Sequence, residues 1–269
     1  MEISPIAEFR GQVSGKFGVP RQSGLAPSLE GEVQLLPPYN RAEALRGLEG
    51  FDRIWLIWGF SLNRGNGTES PSLTVRPPRL GGNNRVGVFA SRSPFRPNGL
   101  GLSCVEIQSI DSERCIIRVL GADLADGTPI YDIKPYLPYA DAYPGARAGF
   151  ADSSDWKPLK VVFAAQASAS GNFSQNSLLS EGQTDGFPGN SSQPGPTDGF
   201  PDNSSQQGLT GLAGLTISQL KALEEILAQD PRPQYQDDPD REYGLTFAGR
   251  NIRFRVRDGV LTVFEVTSA

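Results

Sequence analysis

Residues 52–60 read Asp52-Arg53-Ile54-Trp55-Leu56-Ile57-Trp58-Gly59-Phe60, a continuous apolar run of strand length that predicts a β-strand. Working outward, Arg85-Val86-Gly87-Val88-Phe89-Ala90 predicts another strand. Residues 102–110 and 114–120 flank the turn Asp111-Ser112-Glu113 and predict a β-hairpin. One helix is expected upstream, where Asn40 can cap residues 41–46 and Gly47 or Gly50 can end them. Many short strands with one helix point to a barrel or sandwich over residues 1–165.

The texture then changes. Residues 166–214 are rich in Gly, Ser, Asn, Gln and Pro, and the string at 184–193 recurs nearly unchanged at 197–206. No Lys or Arg stands between Lys160 and Lys221. Such a segment buries too little apolar surface to offset its ordering entropy, so a disordered linker is expected. Beyond it, Ile217, Leu220, Leu223, Ile226 and Leu227 repeat at helical spacing behind Thr216 or Ser218, and Asp230-Pro231 stops the helix. Strand-like pieces follow from Tyr243 to Phe254, interrupted by Gly249, and from Val260 to Val266. Residues 215–269 therefore predict a small α+β domain, too small to be stable alone and so expected to pack on the barrel or on a second chain.

Composition narrows the chemistry. Among 269 residues there is no histidine, which excludes imidazole-based triads and His-bearing zinc sites. Proton transfer must use carboxylate, Lys, Tyr or water. Two cysteines, Cys104 and Cys115, cannot build a disulfide framework or a four-thiolate metal site and read as small core residues. No metal is expected. No run of apolar residues is long enough to cross a membrane and no leader pattern opens the chain, so a cytoplasmic protein without membrane contact is expected. The net charge of -5 argues against a globally basic nucleic-acid binder, yet charge acts locally.

Local charge is indeed uneven. From Ser70 to Val105 stand Arg76, Arg79, Arg85, Arg92 and Arg96 with no acidic residue, among prolines and glycines that restrict where each guanidinium points. A solvated face is the plain interpretation; stiffly held arginines also suit phosphate or carboxylate, and Phe95 suits stacking on a base. A second cluster, residues 122–139, gathers Asp123, Asp126, Asp132, Lys134 and three tyrosines including Tyr131. It reads either as an ordinary loop or as the residue set that an active site without histidine must use. The segment Lys16-Phe17-Gly18-Val19-Pro20-Arg21-Gln22-Ser23 reads as a loop near the start of the barrel and carries no familiar phosphate-cradling pattern.

These three segments, with residues 74–83 and 87–98, resemble the TsaA/TrmO (YaeB-like) family over about residues 1–150, with weaker matches at 230–235 and 243–244. The resemblance implies an S-adenosylmethionine-dependent methyltransferase acting on N6 of threonylcarbamoyladenosine, beside the anticodon of threonine tRNA. It implies a mainly β protein, a small β-barrel that is not Rossmann-like followed by the α+β domain, and a homodimer with the cofactor near the subunit interface. It places Pro20, Arg21, Gln22, Arg92, Leu102, Asp123, Leu124, Ala125 and Asp126 against S-adenosylmethionine. Family members often carry His-Gln where this chain has Ser61-Leu62, a departure that leaves the backbone there to meet the cofactor. They also tend to carry proline at the position of Gly99, whose loss loosens the turn but keeps Arg96 and Asn98.

Methyl transfer from a sulfonium needs alignment in a site screened from water, and neither metal nor imidazole. The purine nitrogen must shed a proton, which Asp126 or Tyr131 would accept while Lys134 orients a carboxylate or phosphate. Arg76, Arg79, Arg85, Phe95, Arg96 and Asn98 would meet tRNA, and Arg250, Arg253, Arg255 and Arg257 would extend that surface. Two other classes compete: a non-catalytic module binding S-adenosylmethionine or an adenine nucleotide, and an adaptor that works through its linker repeats.

Overall fold

The computed structural model describes residues 2–62, 73–77, 84–152, 157–164, 214–232 and 238–269. Six strands close into an antiparallel barrel: β1 (Ala7–Gly11), β2 (Glu30–Leu35), β3 (Arg53–Gly59), β6 (Leu100–Asp111), β7 (Ile116–Leu120) and β8 (Thr128–Pro135), in the order β1-β2-β7-β6-β3-β8. Alternation sets the wall: Ile54, Leu56 and Trp58 of β3 and Val105 of β6 point inward with Phe9, Val33, Ile117, Val119 and Ile130. The run at 52–60 is β3, at the centre of this arrangement between β6 and β8. The expected hairpin is β6 and β7.

Two local expectations change. Residues 42–45 form one 3-10 turn entered from Arg41 with no side-chain cap, rather than a helix capped by Asn40. Its apolar content explains this: Leu45 is the one residue of the turn buried, so packing does not extend it. The strand expected at 85–90 is only β5 (Val86–Gly87), paired with β4 (Thr74–Val75), before a 3-10 turn at Val88–Ala90.

After a single-turn helix, α1 (Pro138–Asp141), the C-terminal unit is a sheet of β10 (Tyr243–Phe247), β11 (Arg250–Arg257) and β12 (Val260–Ser268), covered by α2 (Ile217–Ala228). Of the two caps that the sequence leaves open, Thr216 and Ser218, Thr216 caps α2, with a full capping box to Gln219. A fourth strand, β9 (Lys160–Phe163), pairs in parallel with β12. Lys160–Phe163, read from sequence as the end of the barrel segment, thus belongs to this sheet, because its alternating Val161 and Phe163 pack on the α2 core. The linker expected at 166–214 lies outside the described residues but for Gly214.

The two units share one apolar core. Val13, Ala26 and Leu29, from the long β1–β2 connection, pack with Leu223, Ile226, Leu227, Phe247 and Phe254. Polar ties reinforce this: Ser28 donates through both its amide and its hydroxyl to Glu225 (2.8 Å each), and the Ala248 amide donates to the Gln12 carbonyl (2.8 Å). Burial against the β1–β2 connection thus supplies the core that so small a unit lacks by itself. A Leu223→Ala variant, at the centre of this joint, is expected to lose about 2–5 kcal/mol in denaturant unfolding, from lost transfer energy plus the cavity left behind.

No described helix is long and apolar enough to cross a membrane.

Candidate active site

The chain folds so that one end of the barrel gathers residues far apart in sequence. Leu120 pairs with Glu106, so the segment after β7 runs back along β6 and brings Asp123 beside Ser103. Ser103 lies on the inward face of β6, between Gly101 and Val105, and is only 1% exposed. Its hydroxyl donates to Asp123 Oδ1, and the Trp58 indole Nε1–H donates to its oxygen at 2.9 Å. Burial pushes the Asp123 carboxyl above its ordinary range; the Ser103 hydroxyl, the amides of Asp123 and Ser23, and the Arg92 guanidinium oppose this.

A hydrogen-bonded chain runs outward from this carboxyl's neighbourhood. Arg92 donates to Gln22 Oε1, and Gln22 Nε2 donates to the Arg21 carbonyl. Arg21 in turn reaches the C-terminal unit, donating to the Asp230 carbonyl just past α2 at 3.1 Å. Asp230 is itself clamped by Arg232 through two contacts at 2.8 and 2.9 Å. Asp230 holds a left-handed backbone (φ 53), which turns the chain after the helix and aims its carbonyl at Arg21.

Of the residues expected at the cofactor, Arg21, Gln22, Arg92 and Asp123 are therefore brought together, with Pro20 buried next to Arg21. Leu102 is exposed on the face of β6 opposite Ser103, Leu62 is exposed after β3, and Ser61 is half-buried. Leu124 and Ala125 have their side chains in the core, leaving only backbone to face a ligand.

The expected proton-handling trio is not brought together. Asp126 is a tie within the fold: its Oδ1 accepts the Gly11 amide at 3.1 Å, its own amide bonds the Val13 carbonyl, and Arg10 stands 3.9 Å from Oδ2. Tyr131 lies on the rim at a bulge of β8, close against Gly59. Lys134 pairs with Trp55 on the outer wall, about 13 Å further along β8 than Ile130 at ~3.3 Å per residue.

The arginine stripe divides. Arg76 is exposed, and Arg85 donates to Thr74 across the β4–β5 ribbon at 3.0 Å. Arg96 is half-buried and donates to the Ser91 carbonyl at 2.7 Å, so it holds the loop rather than facing outward. Phe95 is exposed with the Lys16 ammonium 5.7 Å from its ring centre, and Asn98 is exposed on the next turn. Arg79 lies outside the described residues. Gly99 adopts φ 59, a conformation that a proline ring forbids, so this turn is reshaped and not merely loosened.

The C-terminal arginines do not extend a bare cationic surface. Arg253 pairs with Glu242 and Glu265, Arg255 with Glu242, and Arg257 with Asp240, while Arg250 bonds Ser268. Sequence showed their charge but not the acids folded against it.

Sequence reading also missed Ser103 and Trp58. The available signal was alternation: in Gly101-Leu102-Ser103-Cys104-Val105, serine takes an inward position, where a hydroxyl needs partners.

Chemically, the cluster offers a carboxyl and a guanidinium to one ligand. That donor set suits a molecule carrying both cationic and anionic groups.

Known proteins resemble this chain throughout. Residues 9–142 match the tRNA-methyltransferase O N-terminal domain and residues 205–269 the TrmO C-terminal domain. A tRNA (adenine(37)-N6)-methyltransferase of Escherichia coli is 36% identical over 269 residues, covering 98% of this chain and 97% of the relative. A Pseudomonas aeruginosa protein whose name describes an S-adenosylmethionine-dependent methyltransferase is 37% identical over 266 residues, covering 98% and 96%. The crystal structure of TrmO from Pseudomonas aeruginosa superposes with a TM-score of 0.68 at 30% identity, covering 100% of this chain and 97% of that one.

Proposed function

The chain belongs to the tRNA-methyltransferase O family, and from that membership and the Asp123 cluster we propose that this end of the barrel binds S-adenosylmethionine for methylation of N6 in threonylcarbamoyladenosine at position 37 of threonine tRNA. As a member it is an enzyme, a tRNA adenine-N6-methyltransferase that uses S-adenosylmethionine. The observation that carries the siting is Asp123, a carboxyl that accepts from Ser103 and feels the charge of the Arg92 guanidinium.

The residues present fit the cofactor, since the half-buried Asp123 carboxyl would suit its cationic groups and the Arg92 guanidinium its carboxylate. When bound, S-adenosylmethionine supplies an electrophilic methyl group. Asp123 and Arg92 hold opposite charges over one ligand, while Gln22 and Arg21 fix Arg92 and the loop beneath it. Of the two proton acceptors expected from sequence, Asp126 is engaged by the Gly11 amide, which leaves Tyr131 at the rim. A Tyr131→Phe protein is expected to lose about 100-fold in kcat with cofactor affinity unchanged in calorimetry.

Exposed Arg76, Arg85, Phe95 and Asn98 support a tRNA surface on the loops before β6. Because such contacts release counterions, tRNA affinity is expected to fall steeply between 50 and 200 mM salt, by about 10³-fold for six phosphate contacts. A homodimer is supported by large apolar side chains left at the surface, Phe89 at 76% and Leu73 at 68% exposure among them. The tRNA substrate supports a cytoplasmic site of action.

Purified protein is incubated with labelled S-adenosylmethionine and two threonine-tRNA pools, one with threonylcarbamoyladenosine and one without, followed by nucleoside mass analysis. A single methyl gained only in the modified pool is expected; methylation of both pools equally would remove the threonylcarbamoyl requirement.

A further inference from the structure

We propose that Ser103 is a positioning residue for Asp123, its hydroxyl oriented by the Trp58 indole so that Asp123 Oδ1 is held as an acceptor and the carboxyl faces the cofactor in one fixed setting. This rests on the assignment of the Asp123 cluster as the S-adenosylmethionine site.

The polarity of the chain is forced by its first member. An indole N–H donates and cannot accept. Trp58 Nε1 donates to Ser103 Oγ at 2.9 Å, so the serine proton has one partner left, Asp123 Oδ1. A proton taken up by Asp123 must then sit on Oδ2. The indole cannot swing away: its ring packs edge-on against Phe60 at 4.4 Å and directly over Gly101. A buried hydroxyl on an inward strand position is costly unless partnered, and here both partners are present.

Groups facing the Asp123 carboxyl come from four segments: Ser103 of β6, the Arg92 guanidinium from the loop before β6, the Ser23 amide from the β1–β2 connection, and its own amide. Without the Ser103 hydroxyl the ionised form loses a donor, so Asp123 should hold its proton to higher pH. Cofactor binding that needs the carboxylate would then fail at a higher pH on acidification.

The test follows the Trp58 indole N–H resonance of the full-length protein against pH, then the dissociation constant for S-adenosylmethionine, in wild type, Ser103→Ala and Ser103→Thr. In wild type the indole signal should titrate with Asp123; in Ser103→Ala it should not, and Ser103→Thr should restore it. Affinity should fall at least tenfold in Ser103→Ala, with the acid limb of binding moved to higher pH, and return to within about threefold in Ser103→Thr. If Ser103→Ala does not melt cooperatively, Ser103→Cys, with similar volume and a weaker donor, carries the same comparison. An indole signal insensitive to pH in wild type, or a Ser103→Ala protein with wild-type affinity and pH profile, would overturn the proposal. A wild-type protein that binds no S-adenosylmethionine but shows the titrating indole would instead overturn the siting of the cofactor and leave the relay standing.

Discussion

Replacing Asp123 with Asn is expected to weaken S-adenosylmethionine binding by about 100-fold at neutral pH while raising the melting temperature of the free protein. The first effect follows from losing a charged partner for the ligand's cationic groups, about 2–3 kcal/mol for a charge-assisted contact. The second follows from the sign of the pKa shift. Burial raises the folded-state pKa of Asp123 above its reference of 3.8, so the folded protein holds this proton more tightly than the unfolded chain. Stability from this group is therefore greatest at low pH and declines as pH rises from about 3.8 through the raised value. At neutral pH the ionised carboxyl costs stability, and Asn removes that cost. A higher melting temperature than that of wild type is therefore expected at neutral pH. The gain should shrink as pH is lowered, because wild type then takes up a proton at this position. Calorimetry with ligand and thermal melts across pH check both halves, and a variant that binds normally would remove Asp123 from the site.

Gly101→Ala is expected to be strongly destabilising. A Cβ at this position would stand 2.3 Å from Trp58 Cε2 and 2.4 Å from Cζ2, far inside contact distance. Relief would require the indole to move, but it is nearly buried and tied to Ser103. Overpacking of this kind costs about 3 kcal/mol, and the displaced indole would also release Ser103 from Asp123. The expected result is a melting temperature lower by roughly 6–12 °C together with weakened cofactor binding. A variant that keeps wild-type stability would mean that the ring has freedom which its contacts deny.

The contrast between these residues and the strands around them shows what sequence makes legible. The run at 52–60, the hairpin at 102–120 and the capped helix after Thr216 depend on local periodicity and end signals, and each forms where the pattern puts it. Composition marks the segment of Asp123, crowded with acidic and aromatic residues, while its place at the cofactor is what the family resemblance implies. Its partners are not marked, because Ser103 stands 20 residues away and Trp58 a further 45 from Ser103, and only closure of the barrel joins them. Charge was misleading for a related reason. Arg96 and the arginines of β11 look alike in sequence to Arg76, yet a carbonyl and three acidic side chains occupy them. Asp126 and Lys134 stand in the same stretch, but the turn before β8 ties one to the β1 backbone and strand register sends the other to the outer wall.

The siting of the cofactor at this end of the barrel is tested most directly by hydrogen–deuterium exchange of the full-length protein with and without S-adenosylmethionine. Slowed exchange is expected in peptides covering residues 20–23, 91–103 and 122–126, with the face of β11 unchanged. Protection absent from those three segments, or concentrated on α2 and β11, would contradict it.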